Sequence, residues 1–199
     1  CIGKGHQAIL SQHIGDLKNI ETYMFYTETI DKFRRLFRFN PSTVAYDLHP
    51  DYLSTRYASE LIIKSIPVQH HHAHIASCMA EHGIDEKVVG VSFDGTGYGT
   101  DANIWGSEFL VADLQDFKRY THFEYIPLPG GDKVTEEPWR TAVSYLYSSF
   151  GQHVRALDIP FIRQMEDKKL NLILEALEKK INCPLSSGAG RLFDAVAAL

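Results

Sequence analysis

Val88-Val89-Gly90-Val91-Ser92-Phe93-Asp94-Gly95-Thr96-Gly97-Tyr98-Gly99-Thr100-Asp101 is the stretch on which the architecture turns. Residues 88–93 are rich in β-branched side chains and read as a buried strand that closes on the carboxylate of Asp94. The glycines that follow read as a tight turn, and residues 104–112 and 119–126 read as the next two strands. Residues 88–126 are therefore expected to form an antiparallel meander. Upstream, strand patterns at 7–12, 43–47 and 66–69 alternate with helical periodicity at 17–37, 52–63 and 72–81, the last stopped by Gly83. Downstream the chain is mostly helical, with segments 138–150, 168–180 and 191–199. Alternating strands and helices, then a meander, then helices, imply an α/β domain with a mixed sheet and flanking helices.

Bulk properties narrow the function. With 199 residues, 44% hydrophobic and 23% charged, the composition is that of a soluble globular protein. A net charge of −5 argues against a broad nucleic-acid surface, because counterion release needs clustered Lys and Arg. No apolar run approaches the roughly 18 residues of a membrane span. Cys1, Cys78 and Cys183 are too scattered for a disulfide framework or a thiolate zinc site, which suits a reducing, cytoplasmic compartment. Cys78 is expected to be a small buried hydrophobe, and Trp105 and Trp139 to be packing residues. The chain begins at Cys1 rather than Met and stops within an apolar helical pattern, so the expectation is a piece of a longer protein.

The chemistry concentrates in Val68-Gln69-His70-His71-His72-Ala73-His74. Within the cluster only His70 and His74 are four apart, the spacing that puts two imidazoles on one helix face to converge on one ion. His71 and His72 project elsewhere as supporting or surface groups. Two histidines rarely complete a metal site, and Asp94 is the expected carboxylate partner. The alternative is a histidine-rich surface turn with no ion. Ala73 stands where a HExxH protease would carry its glutamate, so that base is missing.

Gly95, Thr96 and Gly97 can present an anion-binding nest of backbone N–H groups. The GxGxG spacing followed by a strand is not a dinucleotide fingerprint, and an ordinary tight hairpin is the plainer alternative. Two later segments pair a small-residue loop with a helix start. One is Leu128-Pro129-Gly130-Gly131-Asp132-Lys133 leading to Glu137-Pro138-Trp139-Arg140; the other is Ser186-Ser187-Gly188-Ala189-Gly190 leading to Arg191 and Asp194. Either can meet an anion, and Asp194 can accept ribose hydroxyls; a capped surface helix is the bland reading of both.

Five motifs in order resemble the HypF family of carbamoyltransferases, the hydrogenase-maturation proteins. They are Leu10-Ser11-Gln12-His13-Ile14-Gly15-Asp16-Leu17, Asp47-Leu48-His49-Pro50-Asp51-Tyr52-Leu53-Ser54-Thr55, the histidine cluster, Phe93-Asp94-Gly95-Thr96-Gly97-Tyr98-Gly99, and Gly190-Arg191-Leu192-Phe193-Asp194-Ala195-Val196. The resemblance implies a fragment of an ASKHA-type (actin and sugar-kinase-like, ribonuclease H-like) carbamoyltransferase domain, with residues 1–111 as one lobe and 112–199 as the start of the second. It implies transfer of a carbamoyl group from carbamoyl-adenylate, made upstream in the same parent chain from carbamoyl phosphate and ATP, to the C-terminal cysteine of a HypE-type protein. By the same resemblance His70, His74 and Asp94 hold a divalent iron or zinc ion, and Ser187, Gly190 and Asp194 surround the adenylate. A further metal carboxylate and the upstream domains are absent from this sequence, so the fragment alone is expected to be weakly active or inactive. Other readings are a metal-stabilised docking module, a tRNA- or sugar-directed carbamoyltransferase, and a phosphate-binding kinase fragment that would leave the histidine pair without a purpose.

Overall fold

The computed structural model describes all 199 residues, and their contacts divide the chain into two units, Cys1–Val68 and Gln69–Leu199. The boundary expected at 111 falls inside a strand, one residue before its end. In the first unit a short hairpin, β1 (Ile2–Lys4) with β2 (Gln7–Ile9), precedes the helix α1 (Ile20–Leu36). The Asn19 side chain caps α1 by accepting the Thr22 N–H at 2.8 Å, with Glu21 at the positive end and Arg34 and Arg35 at the negative end. Then β3 (Thr43–Asp47) and β4 (Lys64–Val68) pair in parallel around the crossover helix α2 (Leu53–Glu60). The Asp47–Tyr52 turn is held locally. Asp47 Oδ1 accepts the His49 N–H at 2.8 Å, and the His49 ring stacks on Tyr52 at 4.0 Å.

The second unit opens with α3 (His70–Glu81), followed by β5 (Val88–Tyr98), β6 (Ile104–Ala112) and β7 (Phe117–His122). These three strands form the expected antiparallel meander. After β8 (Ile126–Pro127) come the one-turn α4 (Lys133–Glu136), α5 (Trp139–Phe150), a 3-10 turn at Gly151–Ala156, α6 (Pro160–Gln164) and α7 (Asp167–Glu178). Last are β9 (Leu185–Ser186), which pairs in parallel with β6 and antiparallel with β8, and α8 (Ala189–Ala198). The sheet is therefore mixed and flanked by helices, as the alternation of patterns implies. No helix is long and apolar enough to cross a membrane.

Two cores hold this unit. Ile75 and Met79 of α3 pack on Trp105, Leu110 and Ala112 of β6, while α5, α6 and α7 enclose Val143, Ile162, Ile173, Leu174 and Leu177. Burying each such side chain contributes about 1.5–3 kcal/mol, so α3 is clamped to the sheet by its apolar stripe and its histidines are carried with it.

Several local expectations need correction. β5 is not buried on both faces: Val89, Val91 and Phe93 are 69%, 51% and 57% exposed, while Ser92 is buried. The glycines at 95 and 97 do not form the hairpin turn, because β5 runs on through them to Tyr98. The turn lies beyond, where Gly99 N–H donates to Asn103 O at 2.9 Å and Ala102 takes a φ of 61°. Cys78 is exposed rather than buried. Trp105 packs as expected, 1% exposed beneath the Arg119 guanidinium.

Candidate functional site

α3 starts two residues earlier than its periodicity suggests because Gln69, 3% exposed, caps it. The Gln69 side-chain oxygen accepts the His72 N–H at 2.9 Å, taking up one of the first-turn donors. From that start His70 and His74 share one face, one turn apart. Opposite them, β5 loses register between Phe93 and Gly97: residues 94–96 lie against Gly106 alone. Such a bulge redirects a side chain out of the strand's alternation, and here it turns out Asp94.

The three groups converge. His70 Nε2 is 3.0 Å from Asp94 Oδ2 and 3.2 Å from His74 Nε2, and His74 Nε2 is 3.6 Å from the same carboxylate oxygen. All three ligand atoms lie within 4.8 Å of one another. Donors about 2.1 Å from a tetrahedral ion sit roughly 3.4 Å apart, so this donor set fits a divalent cation without rearrangement. Two imidazoles and a carboxylate suit iron(II) or zinc alike. Burial pushes the Asp94 carboxyl up, but the Gly95 N–H and the His70 ring outweigh it and leave it below the usual carboxylate range, so it is an anion at neutral pH.

His71 and His72 do not reach the cluster's open side. His72 is buried and its Nε2 lies 2.8 Å from the Asp113 carbonyl oxygen, so the ring is the donor. His71 is fully buried against Gly97, and burial, with His70 beside it, pushes its pKa down to about 4, leaving a neutral ring.

The small-residue loop before α8 comes to the same strand bulge. A Cβ at Gly188 would lie 2.6 Å from Gly95 O, one at Gly190 2.9 Å from Gly95 Cα, and one at Gly106 2.7 Å from Gly188 Cα. These glycines are explained by close approach: backbone rests on backbone where α8 meets β5 and β6. Gly95, Thr96, Gly97 and Gly190 are thereby gathered near Asp94. Ser187 is 1% exposed, its N–H donates to Ile104 O at 2.9 Å and its hydroxyl to Glu108 Oε1 at 2.5 Å. Both donors are taken, so Ser187 holds the loop and is not free to donate to a ligand. Asp194 Oδ2 lies 3.1 Å from Arg191 Nη2, close enough for an ion pair though not aligned for a hydrogen bond. Lys133 is exposed, and Arg140 pairs with Glu137 and lies over Trp139, which makes that loop and helix start a locally satisfied structure.

Two families match successive parts of the chain, and their boundary falls after α3 rather than before it. Residues 1–81 match the family described as HypF Kae1-like domain, and residues 90–199 match that described as Carbamoyltransferase, Kae1-like Domain, second subdomain. The chain belongs to the HypF carbamoyltransferase family. Among HypF relatives, carbamoyltransferase HypF2 of Cupriavidus necator is 42% identical over 204 residues, spanning all of this chain and 24% of that protein. The HypF of Synechocystis is 37% identical over 212 residues, covering 28% of it. A crystal structure of full-length HypF in the phosphate- and nucleotide-bound form superposes with a TM-score of 0.88 at 48% identity, covering 94% of this chain and 29% of that one. The HypF of T. kodakarensis superposes with a TM-score of 0.83 at 38% identity. The chain spans about a quarter of the length of these HypF relatives.

Sequence reading missed one constellation in this HypF-family chain. Glu108, fully buried, accepts from the Gly106 and Ser107 N–H groups, from Ser187 and, at 2.6 Å, from Arg119 Nε. Arg119 also reaches Tyr125 OH at 2.9 Å and Asp101 Oδ2 at 3.2 Å, and Trp105 Nε1 donates to Asp101 at 2.8 Å. Burial raises the Glu108 carboxyl, but Arg119, Ser187 and the Gly106 N–H outweigh it and hold it ionised. The network ties the hairpin turn, the meander and the Ser187 loop together. Its only trace in the sequence is a lone charged residue, Glu108, inside an otherwise uncharged strand.

Proposed function

We propose that this chain is the part of a HypF-type protein that transfers a carbamoyl group from carbamoyl-adenylate to the C-terminal cysteine of a HypE-type protein, toward the cyanide ligands of nickel–iron hydrogenase. The carbamoyl-adenylate comes from carbamoyl phosphate and ATP in an upstream domain of the same parent chain, and the whole works in the cytoplasm. The single observation that carries this reading is the convergence of His70, His74 and Asp94 on a point that suits one cation.

His70, His74 and Asp94 would hold a divalent iron or zinc ion, which would supply Lewis-acid polarisation of a carbamoyl or phosphoryl oxygen. The chain's own residues do the rest. Asp94, anionic and fixed by the Gly95 N–H, keeps both imidazole nitrogens turned inward. In this reading Gly95, Thr96, Gly97 and Gly190 line the adenylate, and Asp194 accepts its ribose hydroxyls. The acceptor thiolate attacks the carbamoyl carbon, the bond to the phosphate oxygen breaks, and AMP departs with that electron pair. Negative charge develops on the carbonyl oxygen as the thiolate adds, the charge that a preorganised site must stabilise.

The test uses the full-length parent with His70→Ala and His74→Ala together, following carbamoyl transfer to a HypE-type cysteine tail and carbamoyl-adenylate formation separately. Transfer is expected to be lost while adenylate formation persists. Transfer unchanged in the double variant rejects the mechanism.

A further inference from the structure

The Gln69 carboxamide uses every hydrogen-bonding group it has except one lone pair. Its oxygen accepts the His72 N–H at 2.9 Å, while its nitrogen lies 3.1 Å from the Tyr98 carbonyl oxygen of β5 and 3.2 Å from His71 Nδ1. The orientation of the amide is fixed by its partners. Flipped, its oxygen would face the Tyr98 carbonyl and its NH2 would face the His72 N–H, setting like against like. The nitrogen is therefore the donor to His71, so Nδ1 carries the lone pair and the proton of the neutral ring sits on Nε2. That Nε2–H is buried with no partner.

We propose that Gln69 is the positioning residue of the histidine cluster: one amide caps α3, pins that cap to the end of β5, and sets the tautomer of His71. The cluster's ligands come from two elements, His70 and His74 from α3 and Asp94 from β5, so their separation depends on how α3 is seated along the strand. Core packing on Ile75 and Met79 holds the helix down, but apolar contacts are not directional. The bond to Tyr98 is directional, and it is made four residues from Asp94. His71 completes the device. Its ring fills the space between the cap and Gly97, where a Cβ would stand 2.5 Å from its Cε1, and the adjacent His70 ring rests on the same glycine. A His71 ring with its tautomer reversed would set a hydrogen on Nδ1 against the Gln69 NH2 and displace both rings. The inference rests on the reading of the cluster as a cation site only for its affinity consequence; the control of the rings stands apart from it.

Gln69→Asn and Gln69→Glu separate this role from simple capping. Asparagine is at least as good an N-cap as glutamine but is one methylene too short to reach Tyr98 and His71 while it caps. Glutamate has the reach but can donate to neither. In the 199-residue chain, the imidazole nitrogen signals of His71 are expected to show a bare Nδ1 and a protonated Nε2. In Gln69→Asn that preference is expected to collapse into a mixture, with helix content unchanged, and in Gln69→Glu it is expected to reverse. Zinc affinity is expected to fall about 10–100-fold in both variants, the usual loss when a group orienting a metal ligand is removed. A protonated Nδ1 in the original chain, or a Gln69→Asn chain with the same nitrogen signals and the same zinc affinity, overturns the proposal. Absence of zinc uptake by the original chain removes the cation reading alone, since the nitrogen signals report on Gln69 without any ion.

Discussion

Replacing Gly97 by alanine should cripple the histidine cluster while leaving the rest of the fold in place. The added Cβ would stand 2.5 Å from His71 Cε1 and 2.9 Å from His70 Cδ2. Carbon atoms settle about 3.5–4.0 Å apart, so the rings must retreat by roughly 1 Å. His71 is fully buried with nowhere to go, and His70, about a quarter exposed, has to take up the movement. The 3.0 Å contact between His70 Nε2 and Asp94 then opens beyond hydrogen-bond reach. Overpacking of this size costs about 1–3 kcal/mol. Loss of ligand placement should weaken zinc binding by about 10–100-fold. The measurement is zinc affinity by competition with a chromophoric chelator, beside thermal unfolding. Ile173→Val provides the comparison: it trims the remote helical core by about 0.5–1.5 kcal/mol and should leave zinc affinity unchanged. If Gly97→Ala binds zinc as the original chain does, the rings are not where the close contact puts them and the reasoning fails.

Other consequences are equally measurable. Glu108→Ala leaves Arg119 without its buried partner and should destabilise the second unit by about 3–5 kcal/mol, and amide exchange at Ser187 should accelerate because the loop loses its anchor. His71 titrates near 6.5 when unfolded and about 4 when folded, so protonation favours the unfolded chain: stability is full above pH 6.5 and falls by about 3 kcal/mol as pH drops toward 4. Urea titrations across that window should show the slope, and His71→Phe should flatten it. Burial and the bond to Asp101 push Tyr125 up to about 12, so its stabilising effect is intact below pH 10 and lost as pH rises through 12. The last phase of the phenolate absorbance titration should therefore vanish in Tyr125→Phe.

The order of strands and helices was legible because it rests on periodicity, which depends only on neighbours in sequence. The meander expected over 88–126, whose third strand ends at His122, and the helix expected over 138–150, which starts at Trp139, follow from that alone. The start of α3 was not legible: glutamine is an uncommon cap, and nothing local says that the side chain of Gln69 will bond to a strand 29 residues away. The glycine run escapes a local reading for a related reason. In isolation Gly95 and Gly97 look like turn residues, but what they meet is a helix about ninety residues later and two imidazole rings. The pairing of His70 with His74 could be read from spacing. Asp94 could be named only as a strand-end carboxylate, since its aim depends on a bulge that the sequence does not mark. Apolar neighbours suggest an inward-facing Cys78, whereas α3 turns that position outward.

The contact of Gly188 and Gly190 with Gly95 has a mechanical consequence. Side chains between a helix and a strand act as cushions, and their rotamers can absorb a displacement. Here there is no cushion, and closely packed backbone hardly compresses. Asp94 is thus rigidly coupled to the first turn of α8, and anything that tugs on that helix is transmitted, undamped, to one jaw of the histidine grip.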